Sequence, residues 1–76
     1  MAERRLVLES TETEDGRRCI DIFQRPDGSF GFEEFIREPE ENTGWQPVSH
    51  TAMMVFWSEE EVRRAAWLHA PWAGGN

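Results

Sequence analysis

The segment Arg25-Pro26-Asp27-Gly28 constrains this chain more than any other, because it separates two runs in which apolar and polar residues alternate. Proline presets φ at the first corner of a type I turn, aspartate suits the second, and Gly28 is free to take the left-handed conformation of a bulged hairpin. Pairing Arg25 with Ser29 then fixes a register: Gln24 opposite Phe30, Ile22 opposite Phe32, Ile20 opposite Glu34 and Arg18 opposite Ile36. Side chains alternate across a strand, so one face gathers Ile20, Ile22, Phe30, Phe32 and Ile36. The other carries Phe23 across from Gly31, Asp21 across from Glu33 and Cys19 across from Phe35, and the Phe23 ring can lie over the bare glycine.

Upstream, Leu6-Val7-Leu8 and the polar stretch ending at Asp15-Gly16 read as an N-terminal strand and turn within residues 1–16. The spacing predicts a β-meander over 17–57. After a charged loop from Glu38 to Gly44, Trp45 to Phe56 is expected to form the third main strand, its irregular start placed at an edge or bulge by Pro47. Ser58-Glu59-Glu60-Glu61 is a capping box that opens a helix over 58–70, with Glu59 and Arg63, and Glu60 and Arg64, spaced to pair. Val62, Ala65, Ala66 and His69 form the inner stripe of that helix, Leu68 flanks it and Trp67 lies well off it. Pro71 stops the helix, leaving 71–76 as a tail in which Ala73-Gly74-Gly75-Asn76 reads as frayed. The expected fold is α+β: a three- to four-stranded antiparallel sheet with one C-terminal helix on one face, in a single domain spanning 1–76.

Fifteen acidic against eight basic residues give a formal charge of −7. That sign disfavours nucleic acid and favours a basic protein partner. A core built from 76 residues is marginal, which makes self-association a live expectation. Cys19 is the only cysteine, so no internal disulfide forms, and with His50 and His69 it gives no set spaced for zinc. No metal or cofactor is expected, and a reducing, cytoplasmic setting fits. The apolar run at Leu6 ends at Glu9, too short for a leader or a membrane span. Every basic residue is arginine and tyrosine is absent, a composition expected of a GC-rich bacterial source.

Few residues invite chemistry. Cys19 and His50 are the types a thiol nucleophile needs, yet nothing in the spacing joins them, and a small buried hydrophobe and an exposed imidazole are the readings favoured. His69 reads as a packing residue or a cation at the helix C-terminus. Glu38, Glu40 and Glu41 lack calcium-loop spacing. No catalytic constellation is expected, so the chain reads as a non-enzyme. Ser29-Phe30-Gly31-Phe32-Glu33-Glu34-Phe35 resembles the aromatic octamer of RNA-recognition motif domains over residues 28–35. That resemblance implies base stacking on Phe30 and Phe32, while Gly28, Ser29 and Glu33 depart from its pattern; the other reading puts both rings in the core. Gly74-Gly75 resembles the diglycine of ubiquitin-like carriers, but Asn76 follows and the helix comes last.

The remaining aromatics exceed what one helix-covered face needs. Phe23, Phe35, Trp45 and Trp67 are the candidate interaction residues of a protein-binding module, with a homodimer as one form and a single-stranded nucleic-acid platform as the alternative. The pattern Asp-Ile-Phe-x-Arg-Pro-Asp-Gly-Ser-Phe-Gly-Phe-Glu-Glu-Phe, an acidic loop with Gly44-Trp45, the Ser-Glu-Glu-Glu helix start and Pro71-Trp72 resembles small bacterial proteins of β-meander-plus-helix type. The resemblance spans about residues 18 to 72 and implies the fold with no activity attached.

Overall fold

A computed structural model describes residues 4–41, 44–48 and 50–73. Four antiparallel strands lie in sequential order, β1 (Leu6–Glu12), β2 (Arg18–Gln24), β3 (Phe30–Ile36) and β4 (Gln46–Pro47), and one helix, α1 (Glu59–His69), follows them. This is the expected α+β meander with a C-terminal helix. The β2–β3 ladder has the register that the turn implies, from Arg18 opposite Ile36 to Gln24 opposite Phe30. The turn is closed by hydrogen bonds from Arg25 N to Ser29 O (2.8 Å) and from Gly28 N to Arg25 O (2.9 Å), with Gly28 at φ 93°. Asp27 Oδ1 accepts from both the amide and the hydroxyl of Ser29, which satisfies that fully buried serine and holds the Asp27 carboxyl below its ordinary range.

β1 reaches further than its apolar residues suggest, pairing Ser10, Thr11 and Glu12 with Asp21, Ile20 and Cys19. The register shifts between Val7 and Glu9, leaving Leu8 as the extra residue of a bulge. The bulge sends two consecutive side chains to the helix side. Leu8 packs on the core, and Glu9 pairs with Arg63 of α1. Ser58 caps α1 by accepting from Glu61 N (3.1 Å), and the Glu59–Arg63 and Glu60–Arg64 pairs form as the spacing requires.

The core lies between α1 and one sheet face: Ile20, Ile22 and Phe32 against Val62, Ala66 and Ala70, with Leu8, Phe30, Phe56 and Trp72 around them. Each large apolar side chain fully buried here contributes about 1.5–3 kcal/mol. Three expectations need correction. Ile36 is 40% exposed rather than core. The last helical residue, His69, meets β3 at Glu34, so Ile36 lies beyond the reach of the helix. Second, the third main strand is only two residues long. Past Pro47 one more backbone bond to β3 forms, from Val48 N to Glu34 O (3.2 Å); the chain then turns through a one-turn 3-10 helix (Thr51–Met53) and pairs with β3 again at a Phe30–Phe56 bridge. Third, Ala73 is not frayed. Pro71–Ala73 forms a 3-10 turn whose Trp72 and Ala73 pack on the core, whereas Gly74, Gly75 and Asn76 lie outside the described residues.

Arg25 replaces the missing strand pairing. Its guanidinium donates to the carbonyls of Ala52 (2.5 Å), Met54 (3.3 Å) and Phe30 (3.1 Å) while lying 5.1 Å from the centre of the Phe23 ring. Phe23 in turn covers Gly31, where a Cβ would stand 2.8 Å from the ring and 2.7 Å from the Arg25 guanidinium. Neither neighbour has room to retreat, because the ring is fully buried and the guanidinium is held by three carbonyls. Gly31→Ala should therefore destabilise the fold by about 1–3 kcal/mol, read from urea unfolding; an unchanged midpoint would show that the Phe23–Gly31 stack is loose.

Candidate functional site

The interaction residues were expected on the sheet face away from α1, and the structure distributes them. Phe23 is buried, and its ring is roofed by the guanidinium of Arg5 at 4.1 Å and of Arg25 at 5.1 Å. It is therefore a structural residue of this face and offers a partner no ring surface. Phe35 and Trp45 come together: both are half-buried, and both line a depression of about 200 Å3 with Ser10, Glu12, Cys19 and Asp21. Trp67 does not join them. It is in the helical layer on the far side of the sheet, one turn beyond Arg63 and so on the flank that faces β1.

Arginines dominate this face. Arg5 lies on Phe23 and pairs with Glu33 (2.9 Å), linking ring, cation and carboxylate in one contact set. Arg37 lies 4.4 Å from the Trp45 ring centre and donates to Gly16 O (2.8 Å). A planar guanidinium suits both tasks, stacking on an aromatic face while its edges donate. These lids were missed in the sequence, where the absence of lysine was the available signal.

Within the depression, Ser10 Oγ donates to Asp21 Oδ1 (2.6 Å), and the Cys19 thiol donates to the same oxygen (3.5 Å). Cys19 is buried, and burial, reinforced by the Asp21 charge, pushes its thiol above the ordinary value of 9.0 against a smaller opposing pull from the Ser10 hydroxyl. A thiol held in its protonated form is a poor nucleophile. His50 lines a different depression, with Glu33, Pro47, Val48, Ala52 and Met53, so the structure does not assemble a Cys19–His50 pair. Among the described residues no group of three or more His, Cys, Asp or Glu side chains could hold a metal ion, and no helix is long and apolar enough to cross a membrane.

On the helix side, Phe32 is fully buried and Phe30 packs half-buried around the same core, so the two rings that would stack on bases lie beneath α1. Glu34 is buried there as well, opposite Ile20, and accepts from Arg18 Nε (3.1 Å) and from His69 Nε2 (2.9 Å). Its charge is matched by Arg18, which also lies over the Trp72 ring at 5.4 Å. This cluster ties the end of α1 to β3 and positions no nucleophile. The comparisons with protein-family models, with curated proteins and with solved structures give no significant match to this chain.

Two measurements test these assignments. Because the folded thiol binds its proton more tightly than the unfolded one, Cys19 contributes stability that is complete below the unfolded value and is lost as pH rises through the folded value. Alkaline loss of stability above about pH 9 should be smaller in Cys19→Ala than in wild type, and native Cys19 should react with iodoacetamide more slowly than the urea-unfolded chain; equal rates would contradict a protected thiol. Glu34→Gln removes the charge from both donors and should cost about 1–3 kcal/mol in thermal or urea unfolding, whereas an unaltered midpoint would mean that Arg18 and His69 are equally well satisfied by water.

Proposed function

We propose that this chain is a small, acidic, non-enzymatic interaction module whose contact surface is the sheet face opposite α1, centred on Phe35 and Trp45. One observation carries the reading: on the sheet face that α1 does not cover, two half-buried aromatic side chains and two carboxylates line a single depression. Aromatics that are partly covered and ringed by polar groups are the usual centre of a protein contact. Exposed apolar side chains elsewhere support association as the general mode of action. Met53, Trp57 and Leu68 are 76%, 67% and 78% exposed and offer apolar surface to a partner.

The reading excludes catalysis by Cys19, whose thiol is buried and protonated, and takes the partner to be a protein, either a second copy or a basic chain drawn by the net charge. Solution mass by sedimentation equilibrium over a wide concentration range tests it. Wild type should self-associate with rising concentration, and Phe35→Asp should remain a monomer with unchanged far-UV circular dichroism. A dimer that persists in Phe35→Asp would move the contact off this face, and a monomer in both would exclude the second copy as partner.

A further inference from the structure

The arginine lids on the second sheet face follow a rule, and one position departs from it. Phe23 has its ring under Arg5, which is paired to Glu33. Trp45 has its ring under Arg37. On the helix side Arg18 repeats the arrangement, bound to Glu34 and lying over Trp72. Phe35 lies between these groups, its strand partner is Cys19, and the carboxylates of Glu12 and Asp21 line the same depression. Among the described residues no guanidinium covers the Phe35 ring, and neither Glu12 nor Asp21 has a cationic partner. Both hydrogen bonds to Asp21 come from neutral donors and arrive at Oδ1.

Ring and carboxylates are thus assembled as they are around Arg5, and among the described residues no cation is paired with them. We infer that the depression lined by Glu12, Asp21, Phe35 and Trp45 receives an arginine side chain from a basic segment of a partner protein, the guanidinium stacking on Phe35 and donating to the two carboxylates. Charge complementarity selects this occupant over an apolar one, because an uncharged side chain here would leave two carboxylates facing it without a cationic partner. Arginine rather than lysine is indicated, since a planar fork meets a ring face and two acceptors at once, as Arg5 does with Phe23 and Glu33. The net charge of −7 steers such a segment toward the protein, and the local geometry decides where it rests.

This inference rests on the reading of the second sheet face as the contact surface, and its test separates the two. A glycine-spaced oligo-arginine peptide is titrated into the isotopically labelled chain, followed by amide shifts, with a citrulline peptide of equal length as the uncharged control. The arginine peptide should shift the amides of Ser10, Glu12, Asp21 and Phe35, and the citrulline peptide should leave them in place. Glu12→Gln combined with Asp21→Asn should weaken binding by about tenfold or more. Phe35→Leu keeps the apolar volume, removes the ring face and should weaken it about threefold. Glu59→Gln combined with Glu60→Gln removes the same charge from the helical layer and should change affinity less than about twofold. Equal losses in the two paired variants would reduce the effect to diffuse attraction and overturn the arginine site. Shifts confined to Met53–Trp57 or Leu68 would overturn the surface assignment itself. An absence of shifts beside self-association lost in Phe35→Asp would overturn only the arginine.

Discussion

The guanidinium of Arg25 is the joint between the two halves of this fold. The first half is a three-stranded meander whose ladder of backbone bonds needs no help. The second half, from Trp45 to Phe56, has two ladder residues, a Val48 N to Glu34 O bond and one Phe30–Phe56 bridge, and between Val48 and Phe56 its backbone forms no ladder with the sheet. Three carbonyl acceptors on Arg25, two from that segment and one from Phe30, hold it against β3, while the flat side of the same group covers Phe23. Lysine at this position would be a point charge on a flexible stem, unable to stack and to reach carbonyls on both sides of the turn. α1 depends on the same joint, because the segment carrying Ser58 enters the helix from Phe56 and Trp57.

A two-layer domain this small has a shortage of apolar material for a third layer, and arginine is what the second face uses instead. A guanidinium is weakly hydrated on its faces and well hydrated at its edges, so it can screen a ring from water and remain charged. Arg5 on Phe23 and Arg37 on Trp45 convert aromatic surface that would favour indiscriminate association into a polar exterior. At Phe35 no arginine lies over the ring among the described residues, and the carboxylates of Glu12 and Asp21 line the depression beside it.

The sheet was legible from the Arg25–Gly28 turn because turn geometry and strand alternation act over a few residues and point to one register. That register already placed Glu34 on the buried face opposite Ile20, which amounts to a demand for a cation; Arg18 and His69 answer it, one from the next strand and one from the helix end. The error over 45–56 has the opposite origin. Val48, Met53, Met54 and Val55 are apolar enough to suggest a strand, but composition does not report whether backbone amides find ladder partners, and after Val48 the Thr51–Met53 turn takes the chain out of the ladder. The candidate site was half legible. Alternation put Phe35 on the face away from the helix, whereas its meeting with Trp45 and the covering of Phe23 by Arg5, between residues 18 positions apart, depend on contacts that no periodicity encodes.

The placement of Cys19 argues for what this surface is not. A thiol at the floor of a depression, next to a carboxylate and a serine hydroxyl, has the neighbours of a reactive centre, and a sequence scan for nucleophiles would select it. The physics of those neighbours runs the other way: desolvation and a nearby negative charge both stabilise the protonated thiol, and its hydrogen bond donates that proton to Asp21. A helix N-terminus or a guanidinium beside the sulfur would reverse the sign, yet the arginines of this face are committed to rings, carbonyls and Glu33. The same arrangement that disables the sulfur as a nucleophile leaves a negative, aromatic-walled recess, and negative potential beside a ring face is chemistry for holding a cation rather than for attacking an electrophile.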